Sequence, residues 1–216
     1  MQVLITRSPS ARDLIGTSVW VDGTAPVLRG ARRGTLTTPV RGAAMVDDMK
    51  DPRREEPPYV LGEREMLERW LEFHRTTLLM KCEGLDDGLR KRRPIPTSLL
   101  SLHGLVRHMA EVERGWFQRT LSEDAGARPI WYSDAEPDGD LVPLDDANWE
   151  ADLAVWQDEC AASREAAASR TLDGTGRRNG EPCSLRWIYV HMIEEYARHN
   201  GHADLIRELV DGEVGW

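Results

Sequence analysis

The sequence predicts an all-α fold, a four-helix bundle behind a disordered N-terminal extension. Three observations lead there. Four segments of about 20 residues carry apolar side chains at spacings of three and four, the period of a helix with one buried face. Gly, Pro and polar residues cluster between those segments. The first 44 residues have no sustained helical period and carry Gly, Pro and Thr throughout.

That first segment holds six Arg and two Asp, a net +4 against −9 for the whole chain, which leaves −13 for the rest. Such composition predicts disorder. A short hairpin from Thr17 to Val21 around Asp22-Gly23 is the weaker alternative. A sharper form of this reading starts translation at Met45 rather than Met1. The segment lacks the compact apolar stretch of a signal peptide. Residues 45–61 are charged and Pro-rich, a linker, so the expected division is extension and linker over 1–60 and one folded domain over 61–216.

Helix one is expected over about 62–83, with Leu67, Trp70, Leu71, His74 and Leu78 as its stripe and Gly84 as its stop. Helix two spans about 99–122 with Leu102, Leu105, Met109, Val112 and Trp116 in line; His108 borders that stripe, and His103 faces away, toward the surface. A long polar stretch, 123–145, follows, and its apolar island Ile130-Trp131-Tyr132 is expected to pack over something. Were Trp131 to line a metal cavity, an enzyme would be favoured. Helix three runs over about 146–169 from a cap at Asp145 or Asp146, with Trp149, Leu153, Trp156 and Cys160 inward. Residues 171–183 read as a turn or short hairpin. Helix four starts after the cap Ser184 and ends at Asp211-Gly212.

Composition excludes some roles. The net charge of −9 argues against a nucleic-acid surface, and no apolar stretch is long enough to span a membrane. The three scattered cysteines, Cys82, Cys160 and Cys183, suggest reduced thiols and hence the cytoplasm. The expected partner is a small-molecule substrate, with no nucleic acid and no membrane; a homodimer with a second copy of the chain is compatible.

The chemistry lies in helix four. Its apolar face is interrupted by His191, Glu195, His199 and His202, which fall at about 0°, 40°, 80° and 20° on the helical wheel. Ile188, Met192, Ile206 and Leu209 share that sector. Burying a carboxylate and imidazoles is costly unless something pairs them, and a metal ion is an economical partner. Glu195 and His199, four residues apart, can reach one point. The alternative is a buried ion pair. An open catalytic site needs a third ligand from another helix, and His108 is the best placed. Two His and one Glu suit zinc, and also iron, nickel or manganese.

The segment from Leu105 to Phe117 resembles helix two of the DinB/YfiT-like metalloenzymes, and Glu195-x-x-x-His199-Asn200-Gly201-His202 resembles their helix-four motif. Trp70–Arg75 and Ser184–Trp187 look like the actinobacterial mini-circle protein branch of that superfamily. The resemblance covers about 60–212. It implies a DinB-like bundle and a metal held by His108, Glu195 and His199. Glu195 departs from the usual His at its position, as in the related mycothiol-dependent maleylpyruvate isomerase. His202 stands where Gln is usual and Asn200 where Arg is usual, so His202 is an alternative ligand. His191 and His202 are otherwise expected to support the ligands, and His74 to sit in the core or line the cavity. The resemblance further implies a low-molecular-weight thiol, mycothiol or bacillithiol, as cosubstrate, for S-transfer or isomerisation. The rival reading is a non-catalytic dimerisation or stress-response module whose metal is structural or absent.

Overall fold

The computed structural model describes residues 53–142 and 144–215; the expectations for the N-terminal extension, the hairpin near Asp22 and Met45 lie outside them. The described chain is mostly helical. It runs α1 (Glu63–Cys82), α2 (Asp87–Lys91), α3 (Leu102–Glu113), a π-helical segment (Arg114–Leu121), α4 (Trp149–Ala168), a two-stranded antiparallel hairpin of β1 (Thr175–Arg178) and β2 (Glu181–Ser184), and α5 (Leu185–Asp211). Helix α1 lies along α5, and α3 lies along α4 while also touching α5.

The helix ends follow local chemistry. The Ser101 and Ser184 hydroxyls accept hydrogen bonds from the N–H groups of Gly104 and Trp187. Gly212, at φ 84°, closes α5 in the left-handed conformation that glycine tolerates. One cap differs from expectation: Asn148, not Asp145 or Asp146, accepts from Ala151 N–H and starts α4. The short α2 lies between the segments expected as helices one and two; Asp86 caps it through Leu89 N–H.

Helix two is not a single regular helix. After Glu113 its hydrogen bonds skip to the fifth residue, as in Ser122 N–H to Phe117 C=O, and the Thr120 hydroxyl donates to the Gly115 carbonyl at 2.9 Å. This wider turn shifts the phase of later side chains. Leu102, Leu105 and Met109 are buried as expected and Val112 is half-buried; beyond Glu113, Phe117, Thr120 and Leu121 continue the buried face while Trp116 is only half-buried.

The expected surface position of His103 is also corrected. His103 is fully buried, because α3 is enclosed nearly all round rather than on one face. Its Nε2 meets Asp152 Oδ2 of α4 at 2.8 Å, and Trp149 packs edge-on against its ring. Leu209, placed in the inward sector, is 54% exposed; it stands at the edge of the buried arc, in line with half-buried His191.

Within the apolar core lies a charged knot that the helical period does not reveal. The Arg75 guanidinium donates twice to Glu113, at 2.8 and 2.6 Å, and both side chains are almost completely buried. Tyr196 donates to the same carboxylate at 2.7 Å, and Trp156 donates to the Tyr196 hydroxyl at 3.0 Å. Burial opposes the charge on Arg75, but the Glu113 carboxylate outweighs it and holds the guanidinium protonated.

The hairpin sits tightly on the π-helical segment. A Cβ on Gly176 would lie 1.9 Å from the Thr120 carbonyl oxygen and 2.6 Å from Leu121 Cα. Both neighbours are backbone and cannot yield, so Gly176→Ala is expected to cost about 1–3 kcal/mol. Urea unfolding measures it; an unchanged midpoint would contradict the close approach.

Candidate metal centre

Helix α5 sets its ionisable groups in a row, since residues three and four apart share a face. Glu195 is buried, and its two oxygens divide between neighbours: Oε1 lies 3.3 Å from His191 Nε2 and Oε2 lies 3.5 Å from His199 Nε2. His202 Nδ1 is 3.4 Å from His199 Nδ1. From α3, the His108 ring packs against His199 with centroids 4.7 Å apart and planes at 61°. His199 thus brings the α5 row into contact with His108 of α3.

His108 is held by a partner the sequence did not disclose. Its Nδ1 lies 2.8 Å from Oδ2 of Asp140, which is 1% exposed. A carboxylate there accepts the Nδ1 proton and leaves Nε2 with its lone pair, the arrangement that orients metal-binding imidazoles. Asp140 comes from the long loop between Leu121 and α4. That loop is fastened to one face of α3 by three near-consecutive side chains. Arg107 donates to the Gly139 carbonyl at 3.3 Å, His108 meets Asp140, and Glu111 accepts the N–H groups of Ile130 and Trp131 at 2.7 Å each. Gly139 is required here, because a Cβ would lie 2.2 Å from the Trp131 carbonyl oxygen. The signal available in the sequence was the Asp138-Gly139-Asp140 run, which by itself is an ordinary turn.

The other predicted residues divide. Among the described residues, the group whose donor atoms all lie within 4.8 Å of one another is His191, Glu194 and Glu195, rather than His108, Glu195 and His199. Glu194 in that group is exposed and already pairs with Arg198. His74 contacts Asn200 at 3.4 Å and packs on Trp70 and Phe73. Trp131 lines a cleft with Arg107 and Asp152, lies 4.7 Å from the Arg107 guanidinium, and does not share that cleft with His108, Glu195 or His199. The observation that would have favoured an enzyme through Trp131 is therefore not made.

Burial pushes His199, His191 and His202 below their ordinary value and so favours the neutral rings, each with one lone-pair nitrogen; the Glu195 carboxylate opposes this at His199 and His191. Burial works against the charge on Glu195, but the hydrogen bond to His199 and the neighbouring histidines and Arg198 hold it below the usual carboxylate range. Neutral imidazoles beside a carboxylate are a donor set suited to a divalent cation.

The same shifts predict a pH dependence of stability. His74, His103, His191, His199 and His202 all titrate below 6.5 in the folded chain, chiefly through burial. Below that pH the unfolded chain binds protons that the folded chain refuses, so stability is complete above it and falls as the pH falls. The urea midpoint of metal-free protein is expected to drop between pH 7.5 and 5.5. A flat profile would contradict the burial of these rings.

A family model described as Mycothiol-S-transferase matches residues 66–212. No curated protein and no solved structure matches.

Proposed function

The chain belongs to the mycothiol S-transferase family, and from that premise we propose that it is a metal-dependent enzyme transferring a low-molecular-weight thiol, mycothiol in kind, to a small electrophile. In this reading residues 61–216 form a DinB-like four-helix bundle, and His108, Glu195 and His199 hold a divalent cation, zinc before nickel, iron or manganese. The observation that carries it is the Asp140–His108 contact facing His199 across 4.7 Å: a carboxylate at Nδ1 orients His108 as the partners of metal-bound imidazoles do, with a second imidazole beside it. When bound, such a cation favours the thiolate form of a coordinated thiol. The chain's own part is to fix the donors. Asp140 keeps the His108 proton on Nδ1, burial keeps His199 neutral, and Glu195 supplies negative charge between His191 and His199. His202 is an alternative donor beside His199.

Among the described residues no helix is long and apolar enough to cross a membrane. The free cysteines fit a reducing compartment, and we place the protein in the cytoplasm.

The test is consumption of free thiol by purified, zinc-loaded protein given mycothiol and an alkyl halide. Metal-dependent consumption is expected, and its absence would remove the transferase reading. Asp140→Ala is expected to weaken zinc binding roughly 10–100-fold with an unchanged circular dichroism spectrum. Wild-type affinity in that variant would free His108 from the donor set. A second reading, a non-catalytic module that pairs two copies, has exposed Val190, Leu205 and Leu209 along α5 in its favour. A stable dimer without thiol consumption would select it.

A further inference from the structure

An aromatic cluster continues the α5 row away from His199. The Trp187 indole stacks on His191 with centroids 5.0 Å apart and planes at 16°. Trp116, from the π-helical segment, packs against both, at 5.1 Å from Trp187 and 4.4 Å from His191. The Arg178 guanidinium, from the hairpin, lies 4.6 Å over the Trp116 ring. Three separate elements therefore converge on one aromatic surface.

Two features of this cluster distinguish it from a closed structural patch. Trp187 is 51% exposed, a large apolar ring left in water beside the candidate centre. Arg178 is exposed and, among the described residues, its side chain makes no ion pair or hydrogen bond. Its neighbour Arg177, by contrast, donates to a carbonyl, and Arg186 is paired with Glu63. The surface thus offers a flat ring face and an uncompensated cation side by side.

Its position connects it to the chemistry. Trp187, His191 and Glu195 follow one another at intervals of four, about 6 Å per step along the helix. The row from the indole to Glu195 is about 12 Å long. His191 bridges the two halves, with its ring on Trp187 and its Nε2 3.3 Å from Glu195.

We propose that Trp187, Trp116 and Arg178 form the acceptor subsite for a planar aromatic electrophile bearing a carboxylate, whose reactive carbon points along α5 toward Glu195. The ring stacks on the indole surface and the carboxylate pairs with Arg178. This rests on the S-transfer reading above. For 4-(bromomethyl)benzoate the step is a displacement: the thiolate sulfur bonds to the benzylic carbon, the carbon–bromine bond breaks, bromide leaves with the bonding pair, and the thiol proton passes to solvent.

Binding and transfer are measured separately on the full, zinc-loaded chain. Ligand-observed NMR without thiol titrates unreactive 4-methylbenzoate beside cyclohexanecarboxylate, 4-methylbenzyl alcohol and methyl glucoside. The 4-methylbenzoate is expected to bind tightest, and Arg178→Met and Trp187→Leu, both at exposed positions, should each weaken it by about threefold or more. Equal binding of cyclohexanecarboxylate, tighter binding of methyl glucoside, or unchanged binding in both variants would overturn the proposal. Thiol transfer is then compared between 4-(bromomethyl)benzoate and 5-bromopentanoate, with a lower KM expected for the aryl compound and lost in both variants. Transfer to both with equal KM overturns the subsite and leaves the transferase reading standing. Binding as expected with no transfer upholds the aryl-carboxylate site and removes the transferase reading.

Discussion

His199→Ala is expected to lower zinc affinity by more than the roughly 10–100-fold that loss of an orienting partner costs, and to abolish thiol consumption with it. His199 is the one side chain in contact with each of the other donors: Glu195 at 3.5 Å, the His108 ring at 4.7 Å and His202 at 3.4 Å. Removing it leaves His108 on α3 and Glu195 on α5 with no ligand between them. Burial also favours its neutral ring, so one nitrogen has a lone pair to donate at neutral pH without displacing a proton. Elemental analysis after dialysis, with Glu195→Gln beside it, decides the point. Unchanged metal in His199→Ala and loss in Glu195→Gln would move the centre to His191, Glu194 and Glu195, the group whose donors lie closest together, and His191→Ala would then be the variant that loses metal.

Glu113→Ala is expected to destabilise the fold by about 3–5 kcal/mol, a large share of the stability of a domain this size. The carboxylate it removes is the acceptor for two Arg75 donors and for Tyr196, inside the core. Arg75 would keep its charge with only Glu72, which is half-exposed and 2.6 Å away, to answer it. The Tyr196 hydroxyl would lose its acceptor while still receiving a hydrogen bond from Trp156. The cost comes from stranding the partners rather than from the intrinsic strength of the pair. Hence the double variant Arg75→Met/Glu113→Leu should recover much of the loss. Urea unfolding of the two proteins tests this, and a double variant as unstable as the single one would show that the ion pair itself stabilises the fold.

The long helices were legible because each carries a periodic apolar stripe and a recognisable end, as at Ser184 and Gly212. The Glu195–His199 pair was legible for the same reason: helical spacing places both on one face whatever the rest of the chain does. What escaped depended on contacts between segments far apart in sequence. A helical wheel with one buried face puts His103 at the surface, whereas α3 is covered on nearly every side. Arg75 and Glu113 each read as polar positions, and only their meeting across 38 residues makes them a core pair. Asp140 lies 32 residues from His108, in a stretch with no periodicity to predict where it would fold back.

The π-helical segment acts as a gear change within one continuous rod. Up to Glu113 the rod turns at the ordinary pitch, which keeps His108 meshed with His199. From Arg114 to Leu121 it turns more slowly, and this brings Trp116 into mesh with Trp187 and His191 instead of carrying it past them. The two engagements lie on one rod but at different pitches, so a regular α-helix of the same length could keep only the first. Shortening the slow section by one residue would slip the second engagement and leave the first intact, separating the aromatic wall from the histidines without touching either.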